Sequence, residues 1–291
     1  MDSLAGQTIG FIGLDLMGRP MARNLHRAGA LMIVHNRSSP PMQELAVEGM
    51  HLASSPAETA ERADIIITML TDTPAVEQVI TGENGLLEAI RPETLIIDMS
   101  TTKLPVTREL AARIEAKGCA FIDAPVSGGT IGAEQGTLII MVGGERQTLD
   151  RAMPIFDVLG SRTTHVGATG AGQVAKAANQ VIVGLNIGAV AEALTLARRA
   201  GVDPARVRDA LAGGFADSRI LEVHGQRMVD DSFAPGARAT VQRKDMDQAL
   251  QLADELGFEL PATALSRDLY DKLIDAGHGD LDHAALIKAI D

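Results

Sequence analysis

Ile9-Gly10-Phe11-Ile12-Gly13-Leu14-Asp15-Leu16-Met17-Gly18 is the stretch whose reading decides the fold. The apolar run Thr8–Ile12 just before it has the length and composition of a buried strand, and the amphipathic segment Pro20–Ala28 just after it reads as a helix. Glycines at such a strand-to-helix turn let the chain bend sharply and let a diphosphate approach the main chain, where the helix N–H groups and dipole face it. Gly13 and Gly18 stand at the outer positions of this dinucleotide fingerprint, and Asp15 stands where its middle glycine belongs. A carboxylate about 4 Å from a diphosphate charge is repelled by about 4 kcal/mol at an effective dielectric of about 20. The expectation is that Asp15 tilts aside and caps the helix starting near Leu16, so that binding is kept with reduced affinity.

Working outward, further short runs rich in Ile, Val and Leu lie at Leu31–Val34, Ile65–Leu70, Leu95–Met99, Ala120–Ile122 and Leu138–Val142. They mostly lack a period of two, as strands buried on both faces do. Helix-like segments at Met42–Glu48, Ala75–Ile80 and Val106–Ala116 alternate with them. That alternation predicts a Rossmann-type, doubly wound α/β domain over residues 1–165. The pattern then changes. From Gly170-Ala171-Gly172 to Arg199 there is no proline, which predicts one long helix leaving the first domain and forming the spine of a second. Residues 166–291 are expected to be all-helical, with further helices over Pro204–Leu211, Ser218–Met228, Val241–Leu256, Thr263–Ala276 and Ala284–Ile290.

Composition narrows the class of partner. The 291 residues carry a formal net charge of −12, which disfavours nucleic acid or an anionic membrane as the main partner and leaves room for a small anionic ligand. The most apolar stretch, Val181 to Leu196, contains Asn186 and Glu192 and reads as too short and too polar for a membrane span. A single cysteine, Cys119, excludes an intrachain disulfide and a thiolate metal cluster and fits a reducing compartment, with Cys119 itself a core residue. The start, Met1-Asp2-Ser3-Leu4, lacks a basic segment followed by an apolar one, so no secretory leader is expected and the location implied is cytoplasmic.

The second strand ends in Asn36-Arg37, where an acidic residue would hold the ribose 2′-hydroxyl of NAD and an arginine can pair with the 2′-phosphate of NADP. NADP is therefore the expected cofactor, with NAD as the alternative. Ser127-Gly128-Gly129 lies just past a strand end, where a hydroxyl and bare main-chain N–H groups can converge on a carboxylate. Lys176 lies one turn into the long helix, with Asn179 and Gln180 at i+3 and i+4 on the same face. His278-Gly279-Asp280-Leu281-Asp282-His283 has the residue types of a metal cluster, but it reads as a turn in which Asp282 caps the last helix, so no metal is expected.

Taken in order, several motifs resemble the β-hydroxyacid dehydrogenases, the 3-hydroxyisobutyrate dehydrogenase-like family, over nearly the whole chain. They are Gly10-Phe11-Ile12-Gly13-Leu14-x-x-Met17-Gly18-x-Pro20-Met21-Ala22-x-Asn24-Leu25, Asp98-Met99-Ser100-Thr101, Asp123-Ala124-Pro125-Val126-Ser127-Gly128-Gly129, Gly136-Thr137-Leu138, Gly170-x-Gly172-Gln173-x-x-Lys176-x-x-Asn179 and Lys244-Asp245. The run Lys176–Val183 is similar to the tartronate semialdehyde reductase branch, while Asp15 and Leu104 depart from the family pattern. The resemblance implies NAD(P)-dependent interconversion of a small β-hydroxy acid and its semialdehyde by a homodimer or homotetramer. It makes Lys176 the acid/base, supported by Asn179 and Ser127. It gives substrate binding to Ser127, Gly128, Gly129, Asn179 and Gln180. It gives cofactor contacts to Gly13, Leu14, Asp15, Leu16, Met17, Asn36, Arg37, Met69, Leu70, Thr101 and Lys244. A non-catalytic relative in which Asp15 has abolished cofactor binding is the reading of a different class, and the intact Ser127 and Lys176 argue against it.

Overall fold

The structure, a computed structural model, describes residues 3–290. Met1 and Asp2, part of the start on which the leader reading rests, lie outside the described residues, as does Asp291. Contacts divide the chain into two compact units, Met1–Lys176 and Ala177–Asp291.

The first unit is built on one sheet. Its strands are β1 (Thr8–Ile12), β2 (Leu31–His35), β3 (His51–Leu52), β4 (Ile65–Thr68), β5 (Leu95–Asp98), β6 (Ala120–Asp123), β7 (Val126–Ser127), β8 (Leu138–Gly143) and β9 (Gly160–Gly167). They follow the order β3-β2-β1-β4-β5-β6-β8-β7, with β9 paired to β8. The first six run parallel, β6 and β7 meet β8 antiparallel, and β9 is parallel to β8. The 3-2-1-4-5-6 order is that of a doubly wound sheet whose ligands gather at the C-terminal strand ends, beside the point where the order reverses between β1 and β4.

Both faces of this sheet are covered, which explains the continuous apolar runs. Alternate residues along the strands go to opposite cores: Met32, Val34, Ile67 and Ile97 to one, Ile33, Ile66 and Ile96 to the other. Cys119 packs in the second of these cores. Three strands escape the sequence pattern. β3 and β7 have two residues each, and β9 is a mostly exposed edge strand with polar residues and no apolar run to mark it. Four helices lie outside the expected set, Pro56–Arg62, Leu86–Ala89, Gly129–Gln135 and Arg146–Leu159. The last buries Leu149, Ala152, Ile155, Phe156 and Leu159 at helical spacing while carrying Pro154 inside it.

The helix Ala171–Arg199 has 29 residues. By length and composition it is apolar enough to cross a membrane, and half of its most apolar window is buried inside the protein. Its first turns belong with the sheet, because they are hydrogen-bonded to Asp123 and Thr102. The second unit adds helices Pro204–Leu211, Arg219–Val229, Ala239–Glu255 and Pro261–Leu273, a π turn at Ile274–His278 and a 3-10 helix at His283–Ala289. Its core includes Ile187, Leu194, Met246, Tyr270, Leu273 and Leu286.

Asp282 ties this second unit together. It caps the final 3-10 helix by accepting the Ala284 N–H at 3.0 Å. It also accepts the Gly236 and Ala237 N–H groups at 2.9 and 3.2 Å and an ion pair from Arg227 at 3.0 Å. Among the described residues His224, Asp282 and His283 bring possible metal-ligand atoms within 4.8 Å of one another. Arg227 already supplies a positive charge there, and His278 and Asp280 are not part of that group. Burial raises the Asp282 pKa. The neighbouring His224, whose Nδ1 lies 3.5 Å away, the charge of His283 and the N–H groups of Ala284 and Gly236 outweigh it and hold the carboxyl well below the usual carboxylate range. A depressed carboxylate stabilises the fold above its unfolded pKa, and that contribution is lost as pH falls towards the folded value. Asp282→Ala is therefore expected to cost about 3 kcal/mol of unfolding free energy at pH 7. Denaturant titration of both proteins should show the gap narrowing below about pH 4, and an equal stability at pH 7 would contradict the assignment.

Candidate active site

The turn after β1 is shaped by main-chain crowding. Gly13 has φ +101°, and a side chain there would strike the Met69 carbonyl and the Leu70 side chain. A side chain on Gly18 would strike the Gly13 carbonyl. Only glycine satisfies both positions. Three bonds from neighbouring strand ends then fix the turn: Gly13 N–H to His35 O at 3.1 Å, Met69 N–H to Ile12 O at 2.9 Å, and Leu14 N–H to the Asn36 side-chain oxygen at 3.0 Å. Asn36 also donates to Ser38 O and Oγ at 3.1 and 2.8 Å. It braces the turn, which leaves the exposed Arg37 as the charged group at the end of β2.

Asp15 does not sit at the helix cap. The helix is Gly18–Arg27, and its cap position holds Met17, which has no side-chain acceptor. Asp15 is exposed and enters the turn through its main chain, its carbonyl accepting Arg19 N–H at 3.3 Å. The reason is register. The helix begins two residues later than expected, at the close-packed Gly18. Leu14 is buried, and Leu16 and Met17 are half-buried around the turn.

A second knot of bonds lies at the ends of β5 and β6. Asp98, fully buried, accepts from Thr68 Oγ1 at 2.8 Å, Ser100 N at 3.1 Å and Thr102 Oγ1 at 2.9 Å. Burial raises its pKa, against hydrogen bonds from Ser100, Thr68 and Thr102 that lower it. The Ser100 hydroxyl accepts Leu70 N–H at 2.9 Å and so ties the β4 and β5 ends together, with half-buried Thr101 between Ser100 and Thr102. Asp123 accepts Gly170 N–H at 2.7 Å and Gln173 N–H at 2.9 Å. Gln173 in turn accepts Thr102 N–H at 3.0 Å and donates to Ser100 O at 2.9 Å. Burial pushes the Asp123 carboxyl up to about 6, against the N–H groups of Gly170 and Gln173 and with the help of the Asp98 charge. Asp98, Asp123 and Gln173 organise this edge. Sequence reading quoted them within motifs but gave them no role, because their partners lie far along the chain.

Lys176 is buried, and its ammonium donates to Val126 O at 2.8 Å. That carbonyl immediately precedes Ser127, which is half-buried on β7 and main-chain paired with Ile139. Gly128 and Gly129 follow with φ of +134° and +60°, and they open the helix Gly129–Gln135. The structure thus brings the lysine to the base of the serine–glycine loop.

Asn179 and Gln180, further along the same helix, belong to another network. Asn179 Nδ2 donates to Gln180 Oε1 at 2.7 Å, and Gln180 Nε2 donates to Asp245 Oδ2 at 2.6 Å and to Gln242 Oε1 at 3.2 Å. Gln242 returns a bond to Gln180 O at 3.1 Å, and Lys244 Nζ lies 2.9 Å from Asp245 Oδ1. Gln180, Gln242 and Asp245 are all buried. Gln180 holds the amide of Asn179 through these bonds. Gln242 and Asp245, which the sequence reading gave no role, are its supports.

A doubly wound sheet with a glycine turn at the switch point, and a buried lysine beside a serine–glycine loop at the same strand ends, is the layout of a nicotinamide-dependent dehydrogenase. Residues 8–167 match the NAD binding domain of 6-phosphogluconate dehydrogenase, and residues 170–290 match the NAD-binding domain of NADP-dependent 3-hydroxyisobutyrate dehydrogenase. The chain is 47% identical over 283 residues to 2-hydroxy-3-oxopropionate reductase of Escherichia coli K12, covering 97% of each chain. It is 34% identical to glyoxylate/succinic semialdehyde reductase 1 of Arabidopsis thaliana, covering 97% and 98%. The structure of Mycobacterium tuberculosis 3-hydroxyisobutyrate dehydrogenase with L-serine superposes with a TM-score of 0.88 at 34% identity, covering 98% and 99%. The protein belongs to the 3-hydroxyisobutyrate dehydrogenase-like family of β-hydroxyacid dehydrogenases, and it is an NAD(P)-dependent oxidoreductase.

The cradle fits that cofactor. Gly13 and Gly18 leave no side chain at the two close approaches, and the cap position of the following helix offers no competing acceptor. The exposed Asp15 carboxylate lies on this turn, and its charge opposes an anion there. Asp15→Gly is expected to lower the NADPH dissociation constant about tenfold, equivalent to about 1.4 kcal/mol. Fluorescence titration of both proteins checks this, and an equal or weaker affinity in the glycine variant would contradict it.

Proposed function

We propose that this enzyme reduces 2-hydroxy-3-oxopropanoate (tartronate semialdehyde) to glycerate, with NADPH preferred over NADH. The observation that carries the reading is the buried ammonium of Lys176, held at the carbonyl next to Ser127. Reduction of a semialdehyde leaves an alkoxide that must gain a proton, and oxidation of the alcohol needs the reverse transfer. Lys176 Nζ is the acid in the first direction and the base in the second. The Val126 carbonyl orients it, and one of its three N–H bonds is enough for that task. Ser127 Oγ and the N–H groups of Gly128 and Gly129 take the substrate carboxylate, and Asn179, held by Gln180, orients the substrate. The nicotinamide dinucleotide, when bound, supplies the hydride. Gly13, Leu14, Asp15, Leu16 and Met17 form its diphosphate turn, with Asn36 bracing that turn and Arg37 taking the 2′-phosphate. Met69, Leu70, Thr101 and Lys244 complete its contacts.

The substrate assignment is supported by the Lys176–Val183 run and by the 47% identity to the Escherichia coli reductase. A second reading within the same chemistry, a 3-hydroxyisobutyrate dehydrogenase or a succinic-semialdehyde/glyoxylate reductase, is favoured by the Arabidopsis and Mycobacterium likenesses. The proposed setting is cytoplasmic, as a homodimer or homotetramer. Exposed Ile182 and Leu196 on the long helix support association with a second copy.

A panel of tartronate, succinic and methylmalonate semialdehydes, each assayed with NADPH and NADH, tests the substrate and cofactor assignment. The expected kcat/KM is highest for tartronate semialdehyde with NADPH, and a higher value for another pair would replace that assignment. Lys176→Ala is expected to lower kcat by about 10²- to 10⁴-fold, with NADPH affinity little changed. Near-normal turnover in that variant would remove the lysine from the mechanism.

A further inference from the structure

We propose that Asp123 is a positioning residue for the reaction, which fixes the first turn of the Ala171–Arg199 helix on the end of β6 and thereby sets where Lys176 stands. The proposal rests on the reading of Lys176 as the proton donor.

Gly170, just before Ala171, has φ +91° and no side chain to accept the first N–H groups. Asp123 takes that role from another part of the chain, one carboxylate oxygen for Gly170 N–H and the other for Gln173 N–H. Three residues on along each segment a second bond follows, Lys176 Nζ to Val126 O. The pairs 123–173 and 126–176 are two rungs between the same two pieces of chain, and the first sets the register of the second. Gln173 adds a side arm to Ser100 and Thr102. A displacement of the helix turn therefore displaces the ammonium relative to Ser127.

The close fit supports a built joint. A Cβ on Gly143 would lie 2.6 Å from one Asp123 oxygen and 2.7 Å from the Ala171 nitrogen. A Cβ on Gly172 would lie 2.7 Å from the other oxygen and 2.5 Å from Met141 O. Nothing larger than hydrogen fits on either side of the carboxylate. Asparagine has a single side-chain oxygen, and its NH₂ would face one of the two N–H groups. Only the ionised carboxylate accepts both at full strength.

That requirement links the joint to pH. The carboxyl is pushed up to about 6, mainly by burial. The charge that acts on it is that of Asp98 on β5; Arg108, from the helix Leu104–Glu115, lies beside Gly170, and Lys176, on the capped helix itself, is bonded to Val126 O. Above this pH the double acceptor is intact. Below it, down to the ordinary 3.8, the folded state holds the proton more tightly than the unfolded chain. This group then adds to stability as pH falls while the anchor weakens.

Asp123→Asn tests the proposal in the intact enzyme. The expected result is a fall in kcat of about 10²-fold, unchanged NADPH affinity by fluorescence titration, and absence of the acid limb that a carboxyl pushed up to about 6 is expected to give the wild-type kcat profile. Wild-type kcat in the variant, or a reduced kcat with the same acid limb, would overturn it. If the variant does not fold, amide exchange of the wild type decides. Protection of residues 168–176, corrected for intrinsic rates, is expected to change between pH 7.5 and 5 with a midpoint near 6, while that of residues 187–199 does not. Unchanged protection of 168–176 would overturn the proposal. Absence of turnover by the wild type on every semialdehyde would overturn the functional reading and the positioning role together. An active wild type matched by Asp123→Asn overturns the positioning role alone.

Discussion

A carboxylate buried at the end of β6 and a helix that begins 48 residues further on are joined by two hydrogen bonds, and the chemistry proposed for the molecule depends on that joint. Removing an ionised group from water is costly unless donors compensate it, and here main-chain donors at a helix start do so. The joint puts a flexible, four-carbon lysine stem on a rigid base. An exposed lysine samples many rotamers; Lys176 is buried and bonded, so it is held in one place before substrate arrives.

The two halves of the strand-end edge are built on the same principle. At the glycine turn, neighbouring strand ends hold the main chain through His35, Asn36 and Met69. At the ends of β5 and β6, the side chains of Asp98, Ser100, Asp123 and Gln173 hold main-chain groups of Leu70, Ser100, Thr102 and Gln173, and Asp98 also holds the Thr102 hydroxyl. Ser100 connects the two halves through Leu70 N–H. The second unit repeats the device with Gln180, Gln242 and Asp245. Lys176 and Asn179 are each held by a buried polar group, the Val126 carbonyl and the Gln180 side chain, which fixes their geometry at the cost of satisfying several buried groups at once.

What could be read from sequence divides along physical lines. β1, β2, β4, β5, β6 and β8 are visible as buried apolar runs, and the proline-free stretch to Arg199 gives the long helix. β9 is exposed and polar, and β3 and β7 are too short to carry a pattern. Lys176 and Ser127 stand out because an ammonium and a hydroxyl at these positions are suited to the proposed chemistry. Asp123 does not, because its partners at 170 and 173 become neighbours only when the sheet forms. Asp15 looks like a cap from its residue type, yet close packing of Gly18 on the Gly13 carbonyl moves the helix start past it. Gln180 looks like a ligand for substrate from its helical spacing, and the structure shows what its side chain holds: Asn179, Gln242 and Asp245.

A crystal structure of the enzyme with NADPH and an unreactive three-carbon hydroxy acid tests the central claim most directly. The account predicts Lys176 Nζ within hydrogen-bond distance of the oxygen on the reacting carbon, the acid's carboxylate at Ser127, Gly128 and Gly129, and Asp123 still bonded to Gly170 and Gln173. An ammonium turned away from the bound acid, with the Asp123 bonds intact, would contradict it.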